Sequence, residues 1–300
     1  MELMGYGLAL LAGTTWGTLG ITSYYLKLTG VGTFEVAFLR LFFAFLAMFV
    51  FFSFKDRSVL KISKEELKHT TLIGIISQGI SSLALYKCMS MTSTTVGVIM
   101  VCLGPLFTTI LSRIIFKEEF TFLKGLALTI AFYGCFLVVT GGDIGVLNSN
   151  STGLGIGLIS GMAFGAFPVF SKRVPVECNS LGILMYSFLV GSVFLIPFMS
   201  FGVIFTYFSW KLLLVAVVLG VIPTALSYGF LSAAVRYIAP AKAGIIALVE
   251  IPVTAIIGNF FMGEYLGLIN VVGIIVLLVG TAISKVELPS IRRDPELQKI

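Results

Sequence analysis

Long apolar runs, separated by short polar breaks, fill almost the whole chain. A transmembrane helix needs about 20 consecutive, mostly apolar residues to cross the hydrocarbon core of a bilayer. Ten runs meet that requirement, at residues 5–25, 34–54, 70–90, 95–116, 122–140, 153–171, 181–201, 211–234, 241–262 and 267–284. The breaks carry turn-forming and charged residues, as in "KDRSVLKISKEELKH" and "GGDIGVLNSNSTG". This pattern predicts an all-α integral membrane protein with ten transmembrane helices, short loops and a polar tail.

A glycine-rich pattern occurs twice, half a chain length apart. "GLALLAGTTWGTLG" begins at Gly7 and "GIGLISGMAFGAFP" begins at Gly155, so that Trp16 aligns with Phe164. Each half contains five predicted spans, and an odd number of spans makes the second copy enter the membrane from the opposite side. The sequence therefore predicts two inverted-topology five-helix repeats and a cytoplasmic tail. Their predicted bounds are residues 1–143, 144–286 and 287–300.

Glycines four residues apart recur at the same place in both copies, as Gly13 with Gly17 and Gly161 with Gly165. Small residues at this spacing let helix backbones approach closely in a membrane, where apolar burial does not drive helices together. We expect these helices to pack tightly against their neighbours, in a way that also permits one half to move against the other.

The distribution of charge predicts the orientation of the chain. Charged residues make up 11% of the sequence, less than half of the roughly 25% found in soluble domains. Most Lys and Arg residues lie in alternate breaks and in the tail, and cytoplasmic loops carry the excess of basic residues. We therefore expect a multi-pass protein of the plasma membrane with both termini in the cytoplasm. The net charge of +6 suits a membrane surface, and no nucleic acid partner is expected.

No enzymatic or metal-binding motif is visible. The chain has no GxxxxGK[ST] loop for nucleotide phosphates and no HExxH zinc motif, and its one histidine, His69, lies at the edge of a span. The four cysteines show no CxxC spacing and are expected to be free structural thiols. We therefore expect a protein that is not an enzyme, that binds no metal or cofactor, and that draws energy from a gradient or from exchange.

An ordered set of features extends over about residues 5–284: "GTTWG" in the first span, "LR" in the second, Pro105 within the fourth and "EEFT" opening the fifth helix. Together with the two repeats, this set resembles the drug/metabolite transporter superfamily and is similar to its EamA-type ten-helix transporters. The resemblance implies a helical bundle with a central cavity that works by alternating access. It also implies a small substrate, since members move amino acids, nucleotide sugars, sugar phosphates, quaternary amines and other metabolites. The chain departs from many relatives in the ninth helix, where Ile251 separates Glu250 from Pro252.

Three ionisable residues lie within predicted spans, where a charge is costly and marks a functional candidate. Glu250 lies near the middle of the ninth span, Arg40 within the second and Lys87 near the outer end of the third. Glu250 is a candidate proton carrier, because burial in an apolar medium favours the neutral carboxyl, or an anchor for a substrate ammonium. Arg40 and Lys87 are candidates for binding a substrate carboxylate. The alternatives are an ion pair of Glu250 with one of these bases, a structural clamp at Arg40, and a Lys87 side chain that extends to the outer interface.

Aromatic side chains are further candidates for lining a substrate cavity. They are Trp16, Tyr86, Phe164, Tyr186 and Tyr228. A tyrosine cage with Glu250 would suit an organic cation, and packing or lipid contact is the alternative for each of the five. Glu118 and Glu264, at matching positions of the two repeats, are expected to open the fifth and tenth helices. The positive end of the helix dipole stabilises a carboxylate at this position.

The sequence thus supports the hypothesis of a secondary active transporter that moves a small polar metabolite by alternating access. An amino acid or a relative is the favoured substrate, because Glu250 together with Arg40 and Lys87 matches a zwitterion. The alternative within this class is a transporter of quaternary amines or cationic drugs, held by Glu250 and aromatic side chains. A channel or a non-transporting membrane scaffold is the alternative outside it. The expected partners are the lipid bilayer, the small-molecule substrate and, where Glu250 carries one, a coupled proton, with the protein a monomer or a homodimer.

Overall fold

The computed structural model describes residues 1–118, 120–147, 150–263 and 265–284, so Glu264 and the predicted tail at 287–300 lie outside the described residues. Within these ranges the regular elements are helical and no strand occurs. The main helices are α1 (Glu2–Trp16), α2 (Leu19–Lys27), α3 (Thr33–Lys55), α4 (Lys64–Met91), α5 (Thr94–Phe116), α6 (Phe122–Thr140), α7 (Ser151–Arg173), α8 (Ser180–Phe198), α9 (Trp210–Ala234), α10 (Pro240–Met262) and α11 (Leu268–Ile283). Short helical turns occur at Arg57–Leu60, Ile144–Leu147 and Phe201–Thr206.

Eight of these helices, α3 through α10, are long and apolar enough to cross a membrane, and α11 is a shorter apolar helix. α1 and α2 share the first predicted span, with Gly17 and Thr18 between them. The predicted all-α fold of membrane-spanning helices is confirmed. The count of ten spans stays a prediction, because α1, α2 and α11 are each shorter than the roughly 20 residues of a full crossing.

Helices at matching positions of the two sequence copies pack in matching ways. α1 packs against α9 and α10, and its counterpart α7 packs against α4 and α5, while α3 packs on its own counterpart α8 and α6 on α11. In the α3–α8 pair, Leu41 lies against Gly191 and Phe45 lies near Tyr186, so the two helices run antiparallel. Antiparallel counterparts are what inverted repeats require. The domain boundaries after residues 143 and 286 stay a prediction.

The repeated glycines lie where helices meet backbone to backbone. A Cβ atom added at Gly13 would collide with the Ala247 carbonyl oxygen on α10, and one added at Gly161 would collide with the Met100 carbonyl oxygen on α5. The expected tight packing is therefore confirmed. It joins the first helix of each repeat to a helix of the other repeat.

The loops and helix ends at one end of the bundle carry most of the Lys and Arg residues. This end is called the basic end below. Its loops contain the described residues 56–63, 117–118, 120–121, 174–179 and 235–239. There Glu66 accepts a hydrogen bond from the Asn179 N–H, and the Arg236 guanidinium donates one to the Val174 carbonyl at 2.9 Å. At the opposite end, Glu35 in the first turn of α3 accepts a hydrogen bond from the Ser200 N–H at 2.8 Å. A buried glutamate thus ties a loop to a neighbouring helix at each end.

The expectation of four free cysteines is wrong. A disulfide joins Cys102 of α5 to Cys135 of α6, and only Cys88 and Cys178 are free. The two bonded residues are 33 positions apart in the sequence, and they meet because α5 and α6 pack side by side.

The expectation that Glu118 opens the fifth helix is also wrong. Thr121 caps α6, because its hydroxyl accepts a hydrogen bond from the Lys124 N–H at 3.3 Å. A hydroxyl at this position satisfies one of the free N–H groups of the first turn, and Glu118 precedes the helix.

Candidate functional site

Two helices are interrupted in their interior, at matching positions of the two repeats. α5 is interrupted at Leu103, and α10 is interrupted at Leu248 and Val249. Pro105 and Pro252 follow these interruptions, and proline lacks the N–H that would continue the helical hydrogen-bond pattern. The second half of each helix therefore begins inside the bundle.

A cavity lies where the two interruptions meet α1 and α7. Trp16 and Phe164 line it, and Glu250 supplies its carboxylate. The other lining residues are Gly104, Pro105, Thr108, Gly165, Pro168, Leu231, Gly244, Ala247 and Leu248. The cavity encloses about 20 Å³, room for about one water molecule. A metabolite therefore requires the walls of this cavity to separate.

Among the described residues that line the cavity, Glu250 is the only one with an ionisable side chain. It lies in the first turn of the segment Glu250–Met262, where the partial positive charge of a helix N-terminus stabilises a carboxylate. Within the described residues, no Lys or Arg forms an ion pair with it. The ion pair with Arg40 or Lys87 is therefore absent, and the carboxylate is open to a ligand.

The aromatic side chains of the centre meet edge to face. The rings of Trp16 and Phe164 are 5.5 Å apart, those of Trp16 and Tyr228 are 5.0 Å apart, and those of Tyr228 and Phe167 are 4.7 Å apart. Contacts of this kind contribute about 0.5–1.5 kcal/mol each beyond the burial of the rings. Tyr86 is buried in the same core. Four of the five predicted aromatics, all except Tyr186, thus converge on the centre of the bundle.

Arg40 is not among the described residues that line the cavity. Its side chain is 6% exposed, its Nη2 donates a hydrogen bond to the Ser82 hydroxyl at 2.8 Å, and its Nε has no hydrogen-bond partner. The hydroxyls of Tyr86 and Tyr228 are near enough to interact with its charge. The guanidinium is therefore held in place with part of its donor capacity unused.

Lys87 and Tyr186 do not line the cavity. Lys87 is exposed on the outer surface of α4, in agreement with the alternative that its side chain extends to the interface. Tyr186 is bound at the basic end, where its hydroxyl donates a hydrogen bond to the Leu60 carbonyl at 2.9 Å. A binding role for either residue stays a prediction.

Sequence reasoning missed two central residues, Gly104 beside the first interruption and Ser82, the partner of Arg40. Alignment of the two repeats could have identified both. Gly104 precedes Glu250 by 146 positions, and Ser82 precedes Tyr228 by the same 146 positions. The two repeats therefore place side chains of different chemical type at equivalent positions around the centre of the bundle.

Comparison with known proteins places this geometry in a family. The model of the "EamA-like transporter family" matches residues 3–140 and 151–285. An "Uncharacterized transporter" of Archaeoglobus fulgidus is 28% identical over 268 residues, which cover 89% of this chain and 92% of that protein. The "Uncharacterized transporter YxxF" of Bacillus subtilis is 23% identical over 271 residues, covering 89% and 86%.

A solved structure described only as "Crystal structure of protein" superposes with a TM-score of 0.74 over 95% of this chain and 96% of its own. Its sequence identity of 13% supports the fold alone. The family match extends over nearly all of both sequence copies, and the chain therefore belongs to the EamA-like transporter family and is a multi-pass membrane transporter.

Proposed function

We propose that this chain is a secondary active transporter of the plasma membrane that moves an amino acid, or a related small metabolite with an amino group, by alternating access. One observation carries the proposal. Glu250 lines a cavity at a helix interruption, beside Trp16 and Phe164, and has no ion-pair partner within the described residues.

In this proposal, Glu250 couples the movement of the substrate to the movement of a proton. An isolated carboxylate in an apolar site is costly, and either a proton or a substrate ammonium removes that cost. The two occupants compete for one group, so binding of the ammonium releases the proton. Trp16 and Phe164 add ring faces that attract a cation. A downhill proton movement then drives the substrate in the opposite direction.

The closed geometry supports alternating access. The cavity has room for about one water molecule, and hydrogen bonds at Glu66 and Glu35 hold both ends of the bundle. In transporters with inverted repeats, one half moves against the other around a fixed central site. We assign the basic end to the cytoplasm, because basic residues accumulate in cytoplasmic loops.

A second candidate is a transporter of quaternary amines or cationic drugs. The described residues that line the cavity include Glu250 and two aromatic rings but no Lys or Arg. Such a lining favours a ligand with a positive charge and no carboxylate.

The first experiment is a thermal-shift screen of the purified protein with amino acids, quaternary amines and sugar phosphates. A ligand at 100 times its dissociation constant stabilises a protein by about 2.7 kcal/mol. We expect an amino acid or an amine to raise the melting temperature of the wild type and not that of Glu250→Gln. Glu65→Gln, which neutralises an exposed glutamate at the basic end, is the matched control and keeps the shift.

Transport is then measured as counterflow in proteoliposomes. Accumulation of labelled substrate against excess unlabelled substrate identifies a carrier, whereas a channel or scaffold shows none. Stabilisation by sugar phosphates alone, or equal shifts in the wild type and Glu250→Gln, would refute the proposed role of Glu250.

A further inference from the structure

We propose that Arg40, Ser82 and Tyr228 form an anion subsite that binds the carboxylate of the transported substrate. This inference rests on the proposed function and narrows it, because it makes the substrate an amino carboxylate and not a simple amine.

The first argument is the unused capacity of Arg40. A guanidinium has five N–H donors in a planar fork that matches a carboxylate. Within the described residues, its Nη2 donates a hydrogen bond to the neutral Ser82 hydroxyl, and its Nε is buried without a partner. A purely structural clamp would use these donors, because an unpaired donor in the interior costs free energy.

The second argument is the charge of the surroundings. The acidic side chains of α3 and of the described cavity lining are Glu35 and Glu250. Glu35 is bound to the Ser200 N–H at the far end of α3, and Glu250 does not pair with Arg40. A buried cation without a counter-charge is strongly unfavourable, so an external anion would stabilise this site.

The third argument is the position of Tyr228. Its ring packs edge-on against Trp16, which lines the cavity, and its hydroxyl interacts with the charges of both Arg40 and Glu250. One aromatic side chain therefore separates the cavity from the guanidinium. In the proposed site, Glu250 and Arg40 lie on the two sides of this ring, with an acid at one pole and a base at the other.

A neighbouring residue extends the subsite. Gln78 lies one helical turn before Ser82 on α4, is fully buried, and has no hydrogen-bond partner at either atom of its amide. Its position against Gly191 and the contact of that glycine with Leu41 place it in the interface of α3, α4 and α8, to which Arg40 also belongs. Its buried and unpaired amide is a further candidate donor for the subsite.

The experiment uses the intrinsic fluorescence of Trp16. The chain has two tryptophans, and Trp210 is 80% exposed, so Trp210→Phe leaves Trp16 as the only reporter. This protein is titrated with L-leucine and 3-methylbutylamine, with L-phenylalanine and phenethylamine, and with L-lysine and cadaverine. In each pair the second compound lacks the carboxylate of the first. Acetate is titrated separately as the anion alone.

We expect at least one amino acid to bind about tenfold or more tightly than its amine, as a charge-assisted hydrogen bond provides. Arg40→Lys keeps the charge and removes the planar fork. In this variant the preference for the amino acid over its amine is lost, and the affinity for the amine is unchanged. Arg236→Lys is the matched control, because Arg236 is bound at the basic end, and it keeps the preference.

Ser82→Ala is the second variant, since it removes the hydroxyl that accepts the hydrogen bond from Arg40 while the arginine remains. It reduces the preference for the amino acid without affecting the amine. The anion subsite is overturned if Arg40→Lys weakens the binding of the amino acid and of its amine equally, or if the wild type does not prefer the amino acid. Either result remains compatible with transport of amines. An Arg40-dependent response to acetate with no response to any amine supports the subsite and refutes the proposed role of Glu250. The absence of any response, to acetate included, overturns both.

Discussion

The packing of α1 on α10 provides a quantitative test at Gly13. An alanine there would place its Cβ atom 2.5 Å from the Val249 Cγ1 and in collision with the Ala247 carbonyl oxygen. The colliding atom belongs to the backbone, so the two helices must separate. Insertion of one extra carbon into a close-packed interface costs about 1–3 kcal/mol.

The same helix offers a matched control at Gly7, where an added Cβ atom meets nothing within 4 Å. Replacement of glycine by alanine inside a helix contributes about 0.5–1 kcal/mol of stability at an open position. This gain is common to both variants and cancels in their comparison. We therefore expect Gly13→Ala to be less stable than Gly7→Ala by about 1–3 kcal/mol.

The assay is the fraction of monodisperse protein after heating in detergent, measured by size-exclusion chromatography. In a chain of 300 residues, a change of 1 kcal/mol shifts the melting temperature by about 2 °C, the lower end of the range for large domains. A difference of about 2–6 °C is therefore expected for about 1–3 kcal/mol. Gly161→Ala and Gly155→Ala repeat the comparison in the second half, because an added Cβ atom collides with the Met100 carbonyl oxygen at Gly161 and meets nothing at Gly155. Equal melting temperatures within both pairs would refute the backbone contact.

Three further outcomes are expected. Glu66→Gln weakens the bond that ties the loop after α7 to α4, so the free thiol of Cys178 in that loop reacts faster with a maleimide. Tyr186→Phe removes the hydrogen bond from the hydroxyl to the loop before α4 and lowers the free energy of unfolding by about 1 kcal/mol, measured by the same heating assay. Maleimide-polyethylene glycol labels two of the four cysteines in the unfolded, unreduced chain and all four after reduction, as counted by gel shift.

The thiol experiment requires an electrostatic control. Burial, followed by the negative charges of Glu66, Glu65 and Glu177, raises the pKa of the Cys178 thiol above its ordinary value. The thiolate is the reactive form, so labelling increases as the pH rises through that raised pKa. Neutralising either Glu66 or Glu65 lowers the pKa and speeds labelling at neutral pH. Glu65→Gln measures an electrostatic effect that is smaller than that of Glu66, so the two variants are compared at a pH above the raised pKa, where the thiol is ionised in both. A rate in Glu66→Gln no greater than in Glu65→Gln at that pH would contradict the role of the loop contact.

Much of the site could be predicted from the sequence, because single ionisable residues stand out in apolar runs. Glu250 lies in the cavity for the reason that made it a candidate: a carboxyl in the membrane is retained where it faces the interior of the bundle. Trp16 and Phe164 followed from the repeat, which aligns them, and they meet near the centre of the bundle.

The orientation of Lys87 and Tyr186 could not be predicted in the same way. Helices that are apolar on all sides have no amphipathic face that reveals which side chains point inward. In addition, α4 contains a π-helical segment at Ile73–Ile80, and α9 contains one at Val221–Leu226. Each such segment changes the rotation per residue, so the faces beyond it are displaced from those of a regular α-helix. The disulfide likewise depends on helix-to-helix packing, which no local sequence pattern encodes.

The backbone contacts of the repeated glycines have a consequence for the biosynthesis of the protein. The partner of Gly13 is Ala247, on α10 near the end of the chain, and the partner of Gly161 is Met100, on α5 in the first half. When the first half has entered the membrane from the ribosome, the glycine face of α1 still has only lipid beside it. It finds its permanent neighbour only after most of the polypeptide has been synthesised. The two halves thus share a sequence pattern, but neither completes its packing before the other is made, and they mature as a single unit.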